Sequence, residues 1–112
     1  MADTSDNRIE RQHPRHTVTA FVDYSGASRY TYQRVQNISL GGICISTPML
    51  EEVGTEVDLV VQFPDLDATF AARGKVMWVN DKELSDMGVR FLDMDATREQ
   101  QLQGFIDRLQ SA

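Results

Sequence analysis

Thr55-Glu56-Val57-Asp58-Leu59-Val60-Val61-Gln62-Phe63 is the stretch that decides the fold class of this chain. Val57, Leu59, Val61 and Phe63 fall on one side of an extended backbone. Glu56, Asp58, Val60 and Gln62 fall on the other, which is the two-residue period of a strand with one buried face. The same alternation predicts strands over Thr17–Asp23, Arg29–Ile38, Ile43–Thr47, Thr55–Phe63, Ala68–Val79 and Met87–Leu92. Turn-forming residues separate them: Tyr24-Ser25-Gly26, Ser39-Leu40-Gly41-Gly42, Val53-Gly54, Pro64-Asp65-Leu66-Asp67 and Asn80-Asp81-Lys82. Short strands, short turns and no helical segment between them imply a mainly β chain with antiparallel pairing. Barrel closure is one way to remove exposed edges, and a sandwich satisfies the pattern as well.

After the last strand the period changes. Leu102, Phe105, Ile106 and Leu109 keep the spacing of an amphipathic helix, with Asp95 or Thr97 as candidate N-cap. Gly104 weakens such a helix, so its apolar stripe is expected to pack on the β-structure.

A chain of 112 residues holds one compact domain. No apolar run approaches the roughly 20 residues that span a bilayer, and Met1 to Asn7 lack the basic start and apolar stretch of a secretory signal. A cytoplasmic location without membrane insertion is therefore expected. The single cysteine, Cys44, sits in an apolar run and is expected to be a buried structural thiol. A net charge of −6 disfavours general attraction to DNA, RNA or anionic membranes, so an anionic ligand must meet a local basic site.

One such site is present. Arg8, Arg11 and Arg15 fall within eight positions whose only acid is Glu10, with His13 and His16 interleaved. Pro14 disfavours helix at His13, so the segment is expected to be an extended, flexible arm over residues 1–15, followed by the folded domain over 16–112. A guanidinium can grip phosphate oxygens, reach the O6/N7 edge of guanine or lie flat on a base. A solvated basic linker is the alternative. The second cluster is Asn37-Ile38-Ser39-Leu40-Gly41-Gly42. There an amide and a hydroxyl precede two residues whose missing β-carbons allow close backbone approach or positive φ. An ordinary turn would also account for it. Trp78 could stack on a base, but Ala72, Gly74, Val76 and Trp78 share one strand face, which favours a core position for it, while Arg90 is expected to be a surface charge. His13 and His16 lack an evident set of further metal ligands. HExxH, GxSxG and P-loop patterns are absent, so no enzyme, no metal site and no cofactor is expected.

Taken together, RxxxR at Arg11 and Arg15, then [DN]xSxxG at Asn37, Ser39 and Gly42, resembles the PilZ domain family. Gly74-Lys75-Val76-Met77-Trp78 and Gly88-Val89-Arg90-Phe91 are similar to the family's later strands, so the resemblance covers nearly the whole chain from Arg11. It implies a six-stranded antiparallel β-barrel with a C-terminal α-helix, and a ligand, cyclic di-GMP, held between the arm and the barrel. Carried over by position, Arg11 and Arg15 would contact phosphate and guanine. Asn37, Ser39, Gly41 and Gly42 would hold a guanine edge, with Arg8 and His13 as further contacts. Glu10 occupies the position that in the family influences how many stacked ligand molecules bind. The function implied is a bacterial second-messenger adaptor, monomer or homodimer, that relays cyclic di-GMP level to a protein effector in motility or biofilm control. A PilZ-like interaction module that does not bind the nucleotide is the alternative.

Overall fold

Residues 14–111 are described by the structure, a computed structural model. Six strands, β1 (Phe21–Ser25), β2 (Arg29–Ile38), β3 (Gly42–Ser46), β4 (Glu56–Phe63), β5 (Ala68–Asn80) and β6 (Asp86–Leu92), are followed by helix α1 (Ala96–Ser111). The strands close into an antiparallel barrel in the order β1-β2-β3-β6-β5-β4, so the sandwich alternative is excluded and no sheet edge remains open.

The alternation in β4 translates directly into burial: Val57, Leu59, Val61 and Phe63 are buried, and their neighbours Glu56, Asp58 and Val60 are exposed. With Val22, Val35, Ile45, Phe70, Met87 and Val89 they fill the barrel. Tyr24 also points inward, and its hydroxyl meets Thr47 Oγ1 at 3.0 Å, which satisfies the one polar atom it carries into the core. Leu102 and Ile106 of α1 are fully buried against this core, and Phe105 packs on Phe63 with ring centroids 5.4 Å apart. Of the two candidate caps, Asp95 is the one used: its Oδ1 accepts the Arg98 N–H at 2.9 Å.

The first strand is shorter than its alternation suggests. The chain touches β2 through mutual His16–Ile38 backbone hydrogen bonds and again where Ala20 O accepts from Val35 N, but a continuous ladder starts only at Phe21. Alternation reports which face is buried, not whether each residue has a ladder partner.

Three register shifts interrupt the ladders, between Val22 and Tyr24, Val35 and Asn37, and Val76 and Trp78. Such bulges bend a strand and change which face its next residue presents. The last two shape the site.

Candidate functional site

Beyond Val35 on β2 the register shift sets Asn37 opposite Cys44, and beyond Val76 on β5 it sets Trp78 opposite Gly88. Cys44 is itself paired with Gly88. Asn37, Cys44, Gly88 and Trp78 therefore form one row across β2, β3, β6 and β5. The neighbouring row, Ile38, Ile43, Val89 and Val76, is buried in the barrel. Since faces alternate along a strand, the Asn37 to Trp78 row lies on the outside. The next outward row brings Gly42, Arg90 and Lys75 together.

The Asn37 to Trp78 row, with Gly42 and Arg90 of the next, forms the floor of a groove of about 630 Å³, lined by Arg15, Asn37, Ser39, Gly41, Gly42, Cys44, Trp78, Gly88 and Arg90, with Met94 and Glu99 at the helix end. The five residues expected to bind a ligand that the structure describes, Arg15, Asn37, Ser39, Gly41 and Gly42, all line this groove. Arg8, Arg11 and His13, and with them most of the 1–15 arm, lie outside the described residues.

The turn at the head of the groove is built around Ser39. Its Oγ accepts hydrogen bonds from Gly41 N (3.1 Å) and Gly42 N (3.2 Å), and its own N–H donates to Gly42 O (2.9 Å). Ser39 is buried, so its hydroxyl holds the turn in shape. Gly41 O accepts from Phe91 N, tying the turn to β6. Neither Gly41 nor Gly42 has a positive φ; of the two reasons for glycine, close approach is the operative one, because a Cβ on Gly42 would collide with the Val89 carbonyl oxygen.

Cys44 is buried, as expected, but it belongs to the groove floor. Its thiol donates to Gln36 Oε1 at 3.1 Å. Burial, followed by the nearby Asp86 carboxylate, pushes its pKa up to about 12, with Arg15 opposing the rise. Arg15 and Cys44 line the same groove. Among the described residues that line the groove the charged side chains are Arg15, Arg90 and Glu99, with the Asp86 carboxylate beneath the floor beside Cys44.

Trp78 corrects the expectation that placed it in the core. The bulge beyond Val76 breaks the phase that Ala72, Gly74 and Val76 share, and the indole lies in the groove across Gly88, whose missing side chain leaves it room. Nothing in the sequence announces that bulge. Gly88 did carry a signal, since a glycine inside a strand often marks a close approach. Arg90 is exposed, as expected, and also lines the groove.

Among the described residues, no group of three or more His, Cys, Asp or Glu is placed to hold a metal ion, and no helix is long and apolar enough to cross a membrane.

The fold is shared with solved structures. YcgR of Escherichia coli in complex with cyclic di-GMP superposes with a TM-score of 0.77 at 22% identity, covering 90% of this chain and 46% of that one. The PilZ domain of YcgR with cyclic di-GMP gives 0.75 at 21%, covering 90% and 92%. The Bacillus subtilis inhibitor of motility MotI/DgrA gives 0.74 at 20%, covering 89% and 51%. The chain thus spans about half the length of MotI and of YcgR, and matches the separate YcgR PilZ domain almost end to end. A comparison with curated proteins finds no match. The family model described as PilZ domain matches residues 9–108, which is most of the sequence, and the chain belongs to the PilZ domain family.

Proposed function

We infer that this protein is an adaptor that binds cyclic di-GMP in the groove and passes its level to a protein partner. The observation that carries the reading is convergence. Arg15, the Asn37–Gly42 segment and the Trp78 indole come from three separate points of the sequence and meet in one groove, whose described lining carries two arginines on a chain of net charge −6. Its volume of about 630 Å³ suits a small ligand.

Each part matches a chemical feature of the nucleotide. The Arg15 guanidinium pairs with phosphate oxygens and guanine O6/N7. Asn37 offers a donor and an acceptor to a base edge. Trp78 provides a flat apolar surface on which a base stacks. Arg11 belongs to the same motif as Arg15 and is assigned to the ligand with it, and Arg8 and His13 supply further contacts from the 1–15 arm. Two solved relatives carry cyclic di-GMP and a third is described as an inhibitor of motility; they support the ligand and an output in motility. On this reading the ligand orders the arm against the groove and changes the surface shown to the partner, by binding and without catalysis.

Isothermal titration tests the ligand claim. Cyclic di-GMP is expected to bind at micromolar concentration or below, and Arg15→Ala to weaken binding by roughly 2–3 kcal/mol, about 30- to 150-fold. No heat from the unsubstituted protein rejects the reading and favours a module that works through protein contacts alone.

A further inference from the structure

Two buried polar atoms on the groove side of the barrel have no hydrogen-bond partner: Trp78 Nε1 and Asp86 Oδ1. The indole nitrogen is a donor only, and an ionised carboxylate oxygen is an acceptor only. Each unmet group is destabilising when buried, and each is what the other lacks.

The sheet register makes them neighbours. Asp86 stands two residues before Gly88 on β6, so the two share the outer face. Trp78 pairs with Gly88 across the ladder, and Asp86 with Asn80. Trp78 and Asp86 are thus diagonal neighbours, a separation that an indole bridges. The part of the ring nearest Gly88 is Nε1, Cε2 and Cζ2, so the N–H edge lies against β6 and away from open solvent. The second carboxylate oxygen of Asp86, Oδ2, is 3.9 Å from Cys44 Sγ, which leaves Oδ1 for the indole.

The geometry points to Asp86 as the positioning residue for Trp78. The indole N–H donates to Oδ1, directly after a small rotation of the ring or through one bridging water, and this sets the tilt of the surface that the indole presents to a ligand. The inference rests on the reading of the groove as a cyclic di-GMP site, and it names a residue outside the groove lining that governs how well a base stacks there.

Trp78 is the only tryptophan, so ¹⁵N-labelled protein gives one indole N–H resonance that reports the contact without ligand. In the unsubstituted protein this proton is expected to exchange with solvent at least about tenfold more slowly than in the unfolded chain. Asp86→Ala should remove that protection and move the resonance upfield, whereas Asp86→Asn keeps an acceptor and should retain most of it. Cyclic di-GMP affinity should fall about five- to tenfold in Asp86→Ala and no further when Asp86→Ala is added to Trp78→Phe, whose ring has no N–H. An unprotected indole in the unsubstituted protein, an unmoved resonance in Asp86→Ala, or additive losses in the double variant would overturn the positioning role. Should Asp86→Ala not fold, the exchange rate in the unsubstituted protein decides alone. If the indole behaves as described but the unsubstituted protein binds no cyclic di-GMP, the ligand reading fails and the positioning role stands.

Discussion

The indole of Trp78 fills the space that a side chain on Gly88 would need. Gly88 is buried in β6, and its neighbours Met87 and Val89 point into the core, so the strand has little freedom to retreat. Gly88→Ala should therefore push the indole off the groove floor. Overpacking of this kind typically costs about 1–3 kcal/mol. The variant is expected to melt at lower temperature, to show a changed tryptophan emission spectrum and to bind cyclic di-GMP more weakly. An unchanged emission spectrum would show that the ring does not rest on Gly88.

Ser39 is the hub of the 39–42 turn, with one hydroxyl oxygen accepting from two backbone N–H groups. Ser39→Ala removes both bonds from a buried position and is expected to cost about 1–3 kcal/mol, read as a lower urea midpoint. Because Asn37 and Arg15 border the same turn, ligand affinity should fall as well.

These two residues show where sequence reasoning stops. Val57 to Phe63 were legible because burial follows a period of two along an unbroken strand. Asn37, Ser39 and Gly42 were legible as a group because the residues of a turn are close in the chain. Trp78 was misplaced for the same reason that β4 was read correctly. The alternation was extended past Val76, where a bulge shifts the register, and that shift depends on how β5 meets β6. Cys44 was read correctly as buried, yet its place in the groove floor depends on a ladder joining segments far apart in sequence, and periodicity carries no information about that.

The Cys44 pKa yields a dependence on pH with a definite sign. Its folded value, about 12, exceeds the ordinary 9.0. Folding therefore favours the protonated thiol. The stability contribution is fully present below pH 9.0 and is lost as pH rises through about 12. Thermal melts between neutral and strongly alkaline pH should show a decline that is smaller in Cys44→Ala. At neutral pH the thiol should also react with an aromatic disulfide reagent much more slowly than in the urea-unfolded chain.

Helix α1 carries a position open to improvement. Gly104 lies between the buried Leu102 and Ile106, and a Cβ added there meets no atom within 4 Å. Gly104→Ala should raise stability by up to about 1 kcal/mol, seen as a higher melting temperature. Ile106→Ala, by contrast, empties a fully buried site and should cost about 2–5 kcal/mol. If both variants melted like the unsubstituted protein, α1 would not be packed on the barrel as described.

The most direct test of the account maps the ligand onto the surface. Titrating cyclic di-GMP into ¹⁵N-labelled protein should shift the amide resonances of Arg15, Asn37, Gly41, Gly42 and Arg90 and the Trp78 indole resonance, while Asp58 and Val60, on the wall formed by β4, stay in place. Shifts centred on that wall, or none at saturating ligand, would contradict it.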